Sequence, residues 1–141
     1  MGRIAAQRIV KAMICRGKVV RGARVGMLGL TFKENVPDLR NTRVVDIIAE
    51  LKEFGIEPIV TDAEAYPEEA MRFYGQKLVP LSELKELDAI VLAVPHRVYQ
   101  SLDPEQLKAF FRTPEDAFVF DIKGFFDKEA MQAAGVDYQR L

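Results

Sequence analysis

Apolar positions along the chain switch repeatedly between a helical and a strand period. Residues 2–17 carry Ile4, Ala5, Ile9, Val10, Ala12, Met13 and Ile14 at helical spacing among cations, which predicts a helix with one apolar face. "ARVGMLGL" (23–30) then reads as a strand. "TRVVDIIAELKEFG" (42–55) reads as a helix, with Val45, Ile47, Ile48 and Leu51 on one side and Gly55 as its stop. "EPIVTD" (57–62) is a short strand ending in an acid, and "YPEEAMRFYG" (66–75) a helix with Pro67 in its first turn and Gly75 at its end. "KLVP" (77–80) reads as a brief strand and "LSELKEL" (81–87) as a short helix. "DAIVLAV" (88–94) is almost continuously apolar, the pattern of a strand covered on both faces. "DPEQLKAFF" (103–111) opens a helix, with Asp103 as cap, Pro104 first and Gln106 placed to return the capping bond. "AFVFD" (117–121) is another buried strand, "DKEAMQAAG" (127–135) a helix and "VDYQRL" (136–141) a last edge strand.

This alternation predicts an α/β fold: a doubly wound, mostly parallel, Rossmann-like sheet of about six strands, preceded by an N-terminal helix. In such sheets ligands sit outside the carboxyl ends of the strands. Three polar sets fall on that edge: the 30–41 loop, "PH" at 95–96 and "DIKG" at 121–124.

Composition narrows the class. A chain of 141 residues, 49% hydrophobic and 29% charged, supports one folded domain. Its longest apolar run, "AIVLAV" (89–94), is strand-length, so no membrane partner is expected. The N-terminus lacks the pattern of a signal peptide, and the single Cys15 excludes an internal disulfide, so the expected location is cytoplasmic. The net charge is −1, but residues 1–24 carry +7 and the remainder −8. A basic arm for nucleic acid is one reading of that asymmetry. No aromatic interleaves the cations, and the apolar spacing instead predicts a helix docked on protein, so no nucleic acid is expected. "RGKVVRGAR" (16–24) reads as the linker behind that helix.

Catalytic chemistry is hard to build from these residues. The lone His96 and lone Cys15 are far apart in sequence, and no cluster has metal-ligand spacing, so neither a catalytic residue nor a metal site is predicted. "GMLGL" has too few glycines for a dinucleotide fingerprint, and "TD" (61–62) is weak as a ribose-gripping acid without them. The 30–41 loop is more promising. Lys33 is a point charge suited to a phosphate, and Arg40 is a rigid fork with Asp38 two residues before it. The plainer alternative is two solvated cations, with Asp38 and Asn41 capping the next helix.

"GLTFKENVPDLRNTRVVDII" (29–48) resembles the signature of the nucleotide-sugar dehydrogenases, the UDP-glucose/GDP-mannose dehydrogenase family, in the form of its UDP-N-acetylhexosamine branch. The resemblance implies that residues 23–141 are the UDP-sugar-binding domain and residues 1–22 the end of a connecting helix and its linker. It implies that Phe32 and Lys33 contact the UDP-sugar, and that Arg40 reaches NAD, which is held mainly by an N-terminal domain outside this chain. In "FDIKG", Lys123 stands where the family has a substrate-binding arginine after Asp-x, so a bidentate grip is replaced by a single contact. His96, with Tyr99 behind it, falls where this branch has His-x-x-Tyr, so it either touches substrate or starts the next helix. The whole enzyme, by resemblance, is a homodimer that oxidises the C6 alcohol of a UDP-sugar to a carboxylate, using NAD and a catalytic cysteine for polysaccharide precursors. Cys15 lacks that cysteine's setting, so the chain alone is expected to be inactive. The rival readings are a free-standing sensor of a nucleotide or sugar phosphate and a plain interaction domain. A first helix packed on its own domain would favour the sensor, and a frayed or self-pairing one a piece of a larger enzyme.

Overall fold

The computed structural model describes residues 2–141. Helix α1 (Gly2–Cys15) leads into β1 (Arg24–Leu28), α2 (Val44–Glu53), β2 (Glu57–Thr61), α3 (Pro67–Tyr74), β3 (Ala89–Leu92), α4 (Arg97–Gln100), α5 (Pro104–Lys108), β4 (Phe118–Asp121), α6 (Lys128–Ala133) and β5 (Asp137–Arg140). The strands form one sheet in the order β2-β1-β3-β4-β5, and every pairing is parallel. Side chains alternate across it as the strand period requires. Val25, Met27, Ala89, Val91, Phe118 and Phe120 face a core completed by α1 and α2. Leu28, Ile90, Leu92, Val119 and Tyr138 face a second core with Tyr99, Leu107 and Met131 from α4, α5 and α6. Helices on both faces explain why β3 and β4 are apolar throughout.

The sheet has five strands rather than about six. "KLVP" is not a strand; it lies beside the β2 edge and makes one ladder-like bond, from Val79 N–H to Val60 C=O at 2.9 Å. Glu57 donates inward to Ala23, so by alternation Pro58 faces outward, where it has no N–H to offer a further strand. The expected 81–87 helix shrinks to one 3₁₀ turn at Leu81–Glu83. The capping box at α5 forms as read: Asp103 Oδ1 accepts from Gln106 N at 2.7 Å, and Gln106 Oε1 accepts from Asp103 N at 2.8 Å.

The basic leading segment lies on its own domain. Helix α1 buries Ala5, Ala6, Ile9, Val10 and Met13 in the core it shares with α2. The start of α1 packs so closely there that a Cβ on Gly2 would lie 2.5 Å from Asp46 Cβ. Beyond it, residues 16–24 are strapped across the amino ends of the strands. Arg16 pairs with Asp137 and lies over the Phe118 ring, Lys18 Nζ donates to Asp116 C=O at 2.8 Å, and Arg24 N donates to Asp88 Oδ2 at 2.9 Å. Of the seven cations in this segment, Arg16 pairs with Asp137 and Arg3 with Glu50 (3.6 Å), and Lys18 is held by a backbone carbonyl.

Candidate functional site: the carboxyl edge of the sheet

The loops after β1 (29–43), β2 (62–66), β3 (93–96) and β4 (122–127) meet at one edge. Gly29 starts the first of them at φ +103°, and a Cβ there would sit 2.6 Å from Val94 Cβ and 2.7 Å from Val94 N. Its smallness serves the contact between two loops and not the approach of a phosphate.

The acid closing β2 is also committed inward. The Asp62 side chain is fully buried and accepts five hydrogen bonds. Oδ2 takes Leu30 N (2.6 Å), Thr31 N (3.1 Å) and His96 Nε2 (3.0 Å). Oδ1 takes Glu64 N (2.7 Å) and Ala65 N (2.8 Å). Desolvation pushes its pKa up, but the bonds from His96, Leu30 and Ala65 outweigh it and hold the carboxyl below its ordinary value. In a dinucleotide-binding crossover this acid would face a ribose and the preceding loop would present glycines to the phosphates. Here the acid grips the loop's own amides, so the first crossover of this domain does not fit a dinucleotide.

His96 completes the lock. It is fully buried, and its Nδ1 accepts from Asn35 N at 2.9 Å, which leaves the proton of the neutral ring on Nε2, facing Asp62. Asn35, at φ +65°, returns the bond: its Oδ1 accepts from Arg97 N (2.8 Å) in the first turn of α4. The β1, β2 and β3 loops therefore form one unit around His96. Both alternatives for this residue involve its position, and the structure shows it as the N-cap position of α4 with both ring nitrogens bonded inside the protein.

What this unit presents outward is cationic and aromatic. Phe32 is 52% exposed, and Lys33 is exposed with no side-chain partner among the described residues. Arg40 is 81% exposed and clasped by Asp38, with Nε to Oδ1 at 3.0 Å and a second bond to Oδ2 at 3.3 Å. That bond holds the Asp38 carboxyl below its usual range. Asp38 C=O also accepts from Phe32 N at 2.8 Å, which closes the 32–38 turn, while buried Leu39 pins its base. The helix-cap alternative gives way here: Thr42, not Asp38 or Asn41, takes the α2 start, accepting from Val44 N while donating to Leu30 C=O at 2.6 Å.

At the β4 end, Asp121 is fully buried and holds its loop by accepting from Gly124 N (2.9 Å), Phe126 N (2.8 Å) and Tyr138 OH (2.6 Å). Burial and the bond to Asp121 push the Tyr138 phenol up to about 12. Lys123 stands exposed on this loop. Phe32, Lys33, Arg40 and Lys123 thus share the edge that the sequence assigned them, with His96 beneath. Sequence reasoning missed Asn35 and the inward role of Asp62. A signal existed for the latter: an Asp two and three residues before two amides at a helix approach favours a local side-chain turn.

Among the described residues no group of three or more His, Cys, Asp or Glu side chains could hold a metal ion, and Cys15 is exposed on α1. No helix is long and apolar enough to cross a membrane. A cavity of about 670 Å³ lies at the opposite edge under the strap, where Arg16, Lys18 and Arg112 alternate with Asp88, Asp116 and Asp137.

Comparison with known proteins adds the following. The family described as "UDP-glucose/GDP-mannose dehydrogenase family, UDP binding domain" matches residues 26–128. Protein CapL of Staphylococcus aureus is 42% identical over 135 residues, which is 95% of this chain and 31% of that protein. A UDP-N-acetyl-D-glucosamine 6-dehydrogenase of Pseudomonas aeruginosa is 40% identical over 129 residues, covering 92% and 30% respectively. The chain thus spans about 30% of the length of these relatives. The crystal structure of an NDP-N-acetyl-D-galactosaminuronic acid dehydrogenase from Methanosarcina mazei Go1 superposes with a TM-score of 0.86 at 23% identity, over 99% of this chain and 28% of that one. That superposition includes α1, so a packed first helix occurs within a longer chain and does not favour a free-standing sensor.

Proposed function

Because this chain belongs to the UDP-glucose/GDP-mannose dehydrogenase family, matching its UDP-binding domain, we propose that its carboxyl edge holds the UDP moiety of a UDP-sugar within an NAD-dependent 6-dehydrogenase. In this reading residues 23–141 are the UDP-sugar-binding domain, and residues 1–22 the end of a connecting helix and its linker. The cofactor and the catalytic cysteine come from the rest of a longer, dimeric polypeptide, and the product is a uronic acid for polysaccharide precursors. The supporting observation is the division of labour at the edge: Asp62 and Asp121 bond inward, while Phe32, Lys33 and Lys123 face solvent. Of the other carboxylates on these loops, Asp38 is clasped by Arg40, Asp127 caps α6 and Glu64 is half-buried, while Glu34 is exposed beside Lys33. Phe32 offers a face to the base or sugar, Lys33 and Lys123 attract phosphate, and Arg40, exposed beside Asp38, is assigned to a cofactor carried by another domain. His96 serves the substrate by holding the loop, through Asn35 and Asp62.

Calorimetric titration of the chain with UDP tests this. Weak binding is expected, because half of a cleft leaves much of the ligand in water, and added salt should weaken it further. Adenosine binding as well as UDP would count against the assignment. The chain by itself should form no NADH from any UDP-sugar, and turnover by the pure chain would overturn the division between binding and catalysis.

A further inference from the structure

One residue at this edge belongs to none of the sequence patterns. Arg140, last in β5, is brought beside the β4 loop by the parallel pairing of Asp121 with Arg140. A Cβ on Gly124 would lie 3.5 Å from Arg140 Cδ and 3.6 Å from Nε, so the arginine stem runs over the turn that follows Lys123. Its head is aimed by two bonds: Nε donates to Tyr138 OH at 3.1 Å, and one terminal nitrogen donates to Phe126 C=O at 2.7 Å. Tyr138 is in turn fixed by buried Asp121, so the aim of the guanidinium is set from the core.

Three facts make this head a binding group. Its other terminal nitrogen has no hydrogen-bond partner among the described residues. Among the described residues no carboxylate forms an ion pair with it, whereas Arg16, Arg40 and Arg112 each have one; Asp121, Asp127 and Glu129 act on it only at longer range. Lys123 follows β4, two strand spacings or about 10 Å from the β1 loop, and Arg140 ends β5, three spacings or about 14 Å away, so the pair lies within the span of an extended nucleotide sugar reaching from that loop.

We propose that Arg140 is a ligand-binding residue which, with Lys123, forms an anion subsite at the β4–β5 end of the edge and takes the diphosphate of the nucleotide sugar. Lys123 alone is a point charge, and Arg140 adds the planar fork that a phosphate oxygen pair accepts. The inference rests on the UDP reading above and deepens it.

The test is titration of the 141-residue chain with UDP and with uridine, which lacks the diphosphate. Arg140→Ala should weaken UDP roughly tenfold, the scale of one charged hydrogen bond. Uridine binding should not change, and Arg140→Lys should recover part of the loss. Arg140→Gln keeps a donor for Phe126 C=O and should lose UDP as alanine does, which separates ligand binding from loop support. Arg112→Ala, at the opposite edge, should bind UDP normally. If Arg140→Gln binds UDP like the unaltered chain while Lys33→Ala binds it less, this subsite is wrong and the UDP reading stands. If the unaltered chain discriminates neither UDP from uridine nor UDP from adenosine, both fall.

Discussion

Replacing Asp62 with Asn tests whether that acid is a brace of the loops or a ligand group. The change keeps shape and removes charge, but an amide offers only one acceptor oxygen. If that oxygen takes the place of Oδ2, the NH₂ group faces Glu64 N and Ala65 N; if it is flipped, the NH₂ group faces Leu30 N, Thr31 N and His96 Nε2. At least two donors lose their acceptor and meet another donor. Each such loss costs about 1–3 kcal/mol, so a destabilisation of about 2–6 kcal/mol is expected. For a domain of this size a loss of 1 kcal/mol lowers Tm by roughly 3–4 °C, which places the variant about 6–24 °C below the unaltered chain. Differential scanning calorimetry reads the shift directly. A Tm within 2 °C of the unaltered chain, accompanied by a loss of nucleotide affinity, would refute the brace and restore the ribose-gripping role.

The same carboxyl sets a pH dependence. Its folded pKa lies below the unfolded value of about 3.9, so its contribution is complete above roughly pH 4 and is lost as the pH falls through the lower folded value. Thermal melts from pH 6 to pH 3 should show stability falling at the acid end, with a smaller fall in Asp62→Asn; parallel curves would contradict this. In a longer polypeptide of the kind proposed above, Lys33→Ala should chiefly raise KM for the UDP-sugar, while Arg40→Ala should raise KM for NAD, each on the order of ten- to a hundredfold. Kinetics with each ligand varied in turn decide it, and an unchanged NAD dependence in Arg40→Ala would mean that the arginine faces elsewhere.

Much of the fold is legible because burial writes itself into the pattern. The apolar runs at 88–94 and 117–121 are strands covered on both faces, and the Asp103–Gln106 spacing gives its cap directly. The sixth strand was misread because "KLVP" has strand composition, whereas pairing depends on which way the alternation turns Pro58. At the edge, the exposed residues were legible by type: Lys33, Arg40 and Lys123 are cations in the loops that follow strands. The buried braces were not, because the donors to Asp62 are mostly backbone amides, which every residue has and no sequence pattern marks. Arg140 was hidden for a different reason. Only the β4–β5 register brings it to the loop of Lys123, 17 positions earlier in the chain.

The strap over the amino ends of the strands changes what α1 can do mechanically. Two glycines among cations suggest a slack tether, yet Gly17 and Gly22 occupy defined turns at φ +72° and +82°, and the segment is fastened at Asp137, Asp116 and Asp88. A helix fastened along one face and at its trailing end behaves as a handle, not a leash. A rotation applied to its leading end should therefore pass into the sheet and not be absorbed in the linker. On this geometry residues 16–24 are not expected to serve as a swivel, and turning the handle should move the sheet and the loops at its carboxyl edge together.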